Sequence, residues 1–398
     1  MLLRLSLRTI FLSYDINICT LGAIRIVYYT RHSHTNDVIY ANRYSADYKQ
    51  GYFGMLSRRC LKWALFTLSL TTVLPLQAAT SPATGQIAEQ QVRHISTYFP
   101  GRMAGSPAEL LAAEYINHRF QQMGYQSNLR GFNTRYLYTS KNGKQSWRNV
   151  SATSVIAAHN ASTNKEDDQK QIVIMAHFDT YTPQSDKDLD KNLGGLTLQG
   201  VDDNAAGVGV MLELAERLKK APLRYDVRFV ALSAEEIGAQ GTENYLQRMS
   251  PAEKANTLLV INIDNLITGD RLYFNASNQP SAQAARDQAL TLARRYGITA
   301  STVKDKVTSP CRVEKDAFDS TGIPVLFVEA SNYTLGNKDG CQQRAISKHF
   351  PQGATRHQSQ LDNLNYLDKF LPGRITKRTH DTVQILLPLI QELAAAKK

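Results

Sequence analysis

The sequence predicts an α/β three-layer sandwich, a largely parallel mixed sheet covered by helices on both faces. Three observations predict it. Apolar runs of strand length alternate with stretches of helical period, the pattern of strands joined by crossover helices. The runs are apolar almost throughout, as strands covered on both faces must be. The chain has 398 residues and is 42% hydrophobic, enough for a full core.

Taken in order, a polar stretch of residues 80–85 precedes the first clear helix. Ser106 caps that helix, Pro107 suits its first turn and Glu109 completes a capping box. Gly124 ends it after Met123. Residues 171–176 (Q-I-V-I-M-A) form a strand, and Val208, Met211, Leu212, Ala215 and Leu218 recur at helical spacing. Strands are predicted over 226–233, 257–263 and 324–328, and helices over 281–296 and 376–396. No internal repeat or low-complexity region appears, so residues 80–398 are read as one domain.

The front of the chain reads differently. From Met55, Arg58, Arg59 and Lys62 precede an apolar run from Trp63 to Leu76, and Gln77-Ala78-Ala79 offers small residues for cleavage. This is the layout of an export signal over 55–79, and the run is short for a bilayer span. The expected location is therefore periplasmic or secreted, with no stable membrane anchor after cleavage. Residues 1–54 hold seven of the nineteen tyrosines and show no sustained helical or strand period. They are read as a non-native upstream extension, with synthesis starting at Met55. Cys19 and Cys60 would be lost with these segments, leaving Cys311 and Cys341 as a candidate disulfide in an oxidising compartment.

Net charge is +11, but residues 1–79 hold nine Lys or Arg against three Asp or Glu, which leaves the remainder a surplus of five. No basic stripe interleaved with aromatics forms, so nucleic acid is excluded as a partner.

The chemistry-bearing residues fall in five short stretches: His177 and Asp179, Asp202 and Asp203, Glu235 and Glu236, Asp264, and His357. Singly, each has an ordinary explanation as a cap, turn or surface group. Jointly, three of them follow predicted strands, and in such sheets ligands bind beyond the carboxyl ends of the strands. A two-metal hydrolytic site needs a bridging carboxylate, terminal nitrogen and oxygen ligands and a base, and this set can supply them.

The order H-F-D (177–179), G-V-D-D-N (200–204), A-E-E-I-G (234–238), I-D-N (263–265) and R-H (356–357) resembles the zinc aminopeptidases of peptidase clan MH. The segments 101–109 and 193–207 are similar to one bacterial branch of them. The resemblance implies two zinc ions, with Asp203 bridging, His177 and Asp264 completing one site and Glu236 and His357 the other. Cobalt or manganese would suit the same donors. It also implies Glu235 as general base, Asp179 holding the His177 ring, and Asn204 beginning the helix behind Asp203. Adjacent Glu235 and Glu236 leave a strand end in different directions, which suits one base and one ligand.

In the family the late histidine is often followed by Asp at the fourth position, whereas here Asp362 is the fifth after His357; His349 and His380 are the alternatives. The implied substrate is a peptide or protein N-terminus, with arginine a candidate residue and Glu314 and Asp316 candidates for an acidic pocket. A monomer is expected. Two other readings stand beside this one: a single-zinc glutaminyl cyclase-like enzyme, and a non-catalytic peptide-binding relative.

Overall fold

The structure, a computed structural model, describes residues 5–9, 12–21, 24–31, 81–159, 170–303, 317–333 and 357–395. The expected signal at 55–79 lies outside the described residues, as do Cys311, Cys341, Glu314, Asp316 and His349.

Residues 1–80 and 81–398 form two compact units. In the first, β1 (Leu5–Thr9), β2 (Leu12–Leu21) and β3 (Ile24–Arg31) pair antiparallel, β1 with β2 and β2 with β3. Alternation there is confined to short spans such as Leu5-Ser6-Leu7-Arg8 and Asp15-Ile16-Asn17-Ile18, too brief to register as a sustained period. Pairing follows instead the density of β-formers, seen best in the run Ile24-Arg25-Ile26-Val27-Tyr28-Tyr29-Thr30.

The second unit opens with α1 (Gln86–Tyr98) and α2 (Pro107–Gln122). Helix α1 was not expected. Its N-terminus has no local side-chain cap; the carboxylate of Glu213, buried 128 residues away in sequence, accepts the amides of Gly85 at 2.8 Å and Ala88 at 2.7 Å. Helix α2 begins and ends as predicted, but its capping box is half formed. Ser106 Oγ accepts the Glu109 amide at 3.1 Å, while the Glu109 carboxylate accepts the amide of Thr153 at 2.7 Å. The Ser106 amide already donates to Met103 O, so the strand amide takes the carboxylate.

A long hairpin follows, β4 (Gln126–Thr139) and β5 (Gln145–His159), turning through Asn142-Gly143 with Gly143 at φ 79°. Then come β6 (Gln171–His177), the short α3 (Asp186–Asp190), an irregular turn (Val201–Ala205), α4 (Ala206–Leu218) and β7 (Asp226–Leu232). Helices α5 (Gln240–Arg248) and α6 (Pro251–Asn256) lead into β8 (Thr257–Ile263), followed by β9 (Arg271–Ala276) and α7 (Pro280–Arg295). The chain closes with β10 (Ala300–Ser301), β11 (Val325–Ser331), α8 (Leu364–Phe370) and α9 (Arg374–Leu393).

The eight strands from β4 to β11 form one sheet in the order β10-β9-β11-β8-β6-β7-β5-β4. The four central strands, β11, β8, β6 and β7, run parallel, and antiparallel partners flank them. Side chains alternate between two cores. Ile172, Ile174, Ala176, Phe229, Ile261, Ile263 and Val328 meet α1, α2, α4, α7 and α9 on one face. Val173, Met175, Val230, Val260 and Phe327 meet α5, Phe318 and Ile323 on the other. Helix α4 is buried from Ala206 through Ala215, which is why it is apolar there beyond a single stripe, the exception being Glu213, whose carboxylate meets α1.

Candidate metal centre

The parallel register sets the site. His177, the last residue of β6, pairs with Leu232, the last of β7, while Asp264 directly follows β8, whose Ile263 pairs with Val328 of β11. One sheet edge thus carries all three polar segments.

His177 Nε2 lies 3.1 Å from Asp203 Oδ1 and 3.3 Å from Asp264 Oδ1. His357 Nε2 lies 3.3 Å from Glu236 Oε2 and 3.8 Å from Asp203 Oδ2. Asp203 therefore stands between the two imidazoles, one oxygen toward each. The donor atoms of His177, Asp203 and Glu236 all lie within 4.8 Å of one another. All five residues read as ligands meet in one cluster. His380, by contrast, sits on α9 beside Asp381 at 3.2 Å.

The electrostatics suit a cation. Burial raises the Asp203 carboxyl above its usual range, and the charges of Glu236 and Asp264 add to the effect. Burial works to lower His177, yet its contacts with Asp179, Asp203 and Asp264 outweigh that and raise it well above the ordinary value. Carboxylates crowded in this way with imidazole nitrogens form a mixed donor set that a divalent ion fits.

The supporting residues are specific. Asp179, fully buried, accepts the amides of Glu235 at 3.2 Å and Glu236 at 3.1 Å, so its carboxylate holds the turn that carries both glutamates. His177 Nδ1 lies 3.2 Å from the Asp179 carbonyl and 3.5 Å from its carboxylate, so the shorter contact is to the main chain. Ala234 at φ 65° turns the chain after β7, and the two glutamates diverge. Glu235 Oε1 accepts the Thr242 amide at 2.5 Å, whereas Glu236 faces His357.

Asn204 does begin the helix: Oδ1 accepts the Gly207 amide at 2.8 Å and Nδ2 donates to Ile263 O at 2.8 Å, joining α4 to β8. The Asp203–Asn204 peptide is cis. Asp202 turns away from the imidazoles and accepts the Ile267 amide at 2.6 Å and the hydroxyl of Thr268.

Sequence reasoning missed three participants. Asp362, noted only for its spacing, is fully buried and accepts the amides of Asp202 at 2.8 Å and Asp203 at 3.2 Å; burial first, then the Asp202 charge, pushes it well above the usual carboxylate range. Tyr181 stacks on His357 with ring centroids 3.9 Å apart and planes 16° from parallel. Arg102 is wholly buried beneath the cluster. Its signal was a lone arginine in the 101–109 segment.

Residues 154–383, more than half the chain, match the pattern of peptidase family M28. The chain is also 54% identical over 342 residues to the alkaline phosphatase isozyme conversion protein of Escherichia coli K12, covering 84% of this chain and 97% of that protein. The chain belongs to peptidase family M28. As an M28 peptidase it is a metallo-exopeptidase, the class the sequence pointed to. A zinc aminopeptidase from Bacillus subtilis superposes on this M28 chain with TM-score 0.58 at 14% identity, over 79% of this chain and 97% of that one. A glutaminyl cyclase from Fimbriiglobus ruber gives 0.53 at 19%, over 78% and 96%. At these identities the likeness is one of fold, and it matches the predicted mixed sheet with helices on both faces.

Proposed function

We propose that this M28 peptidase is an exported aminopeptidase that holds two zinc ions, with Asp203 bridging, His177 and Asp264 completing one site and Glu236 and His357 the other. The observation that carries the reading is the placement of Asp203 between the two imidazoles, one carboxylate oxygen toward each. A divalent ion held there would supply Lewis acidity toward the scissile carbonyl and the attacking water.

The protein's own residues do the rest. Glu235, anchored through Oε1 on the Thr242 amide, takes the water's proton and returns it to the departing amine. Asp179 keeps the two glutamates diverging, so that one serves as base while its neighbour ligates. Crowded acids at the cluster favour a substrate with a free α-amine over one with a blocked terminus. Export rests on the basic front and apolar run of 55–79, and arginine is the proposed preferred N-terminal residue.

A panel of aminoacyl reporter amides tests this on mature, zinc-loaded protein beside a chelated control. Release from free-amine substrates, with arginine ahead, is expected. Cyclisation of N-terminal glutamine with no amide release, and one zinc per chain, would replace this reading with the glutaminyl cyclase one. Binding without turnover would replace it with a peptide-binding relative.

A further inference from the structure

Arg102 lies in the loop between α1 and α2 with no solvent exposure, although nothing about the helices requires a cation there. Its guanidinium donates to main-chain carbonyls of its own loop and of two other segments. Nε donates to Phe178 O, between His177 and Asp179. Nη1 donates to Gln199 O at 2.5 Å and to Phe99 O at 3.4 Å, and Nη2 to Gly200 O at 2.7 Å. Its own carbonyl accepts the Thr180 amide at 3.1 Å. Gly200, at φ 55°, leaves the room: a Cβ there would lie 2.8 Å from Nη2 and 2.5 Å from Asp203 O.

The segment gripped at Gln199 and Gly200 reaches further. Gly194 N donates to His357 O at 2.7 Å, and Gln199 Oε1 accepts the Leu364 amide at 2.8 Å. Through one planar side chain, the turn carrying His177 is tied to the turn carrying Asp203 and, beyond it, to the stretch carrying His357. Burying a guanidinium costs several kcal/mol unless it is well bonded and near opposite charge, and the charges of Asp362, Asp179 and Asp203 favour this one. The fork geometry matters because the acceptors lie on different segments, and a point donor cannot span them.

We propose that Arg102 is a positioning residue of the metal centre, whose guanidinium joins the Phe178 and Gln199–Gly200 carbonyls so that His177 and Asp203 meet at ligand distance before metal binds. This rests on His177 and Asp203 being ligands, as proposed above.

The test is titration of the metal-free full-length chain with cobalt(II) alone, reading affinity and the visible absorption of the bound ion. Arg102→Met is expected to weaken cobalt binding by about 10- to 100-fold and to alter the spectrum, as loss of a residue that orients ligands does. Arg102→Lys keeps the charge without the fork, and recovers only part of the affinity. Leu389→Ala, a core truncation in α9, lowers stability while leaving the spectrum unchanged. If either Arg102 variant folds and binds cobalt with wild-type affinity and spectrum, the proposal is overturned; should Arg102→Met fail to fold, Arg102→Lys decides alone. Wild-type affinity in Asp203→Ala would instead bring down the ligand assignment beneath it.

Discussion

Glu235 and Glu236 are adjacent in sequence and share an anchor in Asp179, yet Glu236 faces the His357 imidazole while Glu235 accepts the Thr242 amide. Their division of labour can therefore be separated by substitution. Glu235→Gln keeps an acceptor for the Thr242 amide and keeps the shape, but cannot carry the proton. It is expected to retain metal while losing about 100- to 10,000-fold in kcat, checked by metal analysis beside turnover. On the proposed two-ion reading, Asp203→Ala should release both ions, because one of its oxygens approaches each imidazole, whereas His357→Ala, which removes only the imidazole beside Glu236, should release about one. Equal loss in both variants would remove the bridging role. Glu235 and Glu236 were legible because they closely follow a strand in a short acid motif, whereas Asp203 and His357 were legible from their motifs alone. Arg102, Asp362 and Tyr181 were not, since their partners are main-chain groups and a ring brought close only by folding. A lone arginine or aspartate carries no periodicity by which such a partnership could be read.

At the scale of elements, what was legible was the buried centre. Strands β6, β7 and β8 and helices α7 and α9 fell within a few residues of expectation, and β11 starts one residue later and runs three residues further than expected, because their apolar runs answer to the cores on the two faces of the sheet. Helix α1 escaped because its buried face includes Ala88, Gln91 and Ser96 and its cap comes from Glu213 in α4. The β4–β5 hairpin escaped because β4 is largely exposed and lacks a clean apolar alternation; Asn142-Gly143 was the readable sign. Close contact of α1 with α4 depends on Gly209, where a Cβ would lie 2.6 Å from Ala88 O. Gly209→Ala should cost about 1–3 kcal/mol of stability by denaturant midpoint, despite the better helix propensity of alanine. Glu109 couples α2 to β5, and burial, aided by the charge of Asp179, pushes it from 4.5 up to about 7. The folded state thus holds this proton more tightly than the unfolded one, so stability falls as pH rises from 4.5 to about 7 and the loss is complete above that. Glu109→Gln still accepts from Thr153 and has no such loss. Relative to the variant, wild type should lose on the order of 3 kcal/mol across this window, measured as the difference in unfolding free energy.

For the catalytic unit as a whole, the cluster is a junction between distant parts of the chain: the end of β6, the turn before α4, the turn after β7, the end of β8 and the stretch before α8. In the unfolded chain these side chains are far apart, so an ion that binds them together binds the native state preferentially. Stability is then linked to free metal, and a concentration one hundred times the dissociation constant adds about 2.7 kcal/mol. For a unit of this size that corresponds to a rise in Tm on the order of 5 °C. The gain should be localised as well as global. Zinc addition should slow amide exchange at residues 177–180, 200–204, 234–242, 264–268 and 357–362, and leave the exposed β4 edge unchanged. Chelator should reverse both effects, and Asp203→Ala should show neither. A zinc-dependent shift that survives in Asp203→Ala, or protection spread evenly over the sheet, would mean that the ion stabilises the protein from somewhere other than this junction.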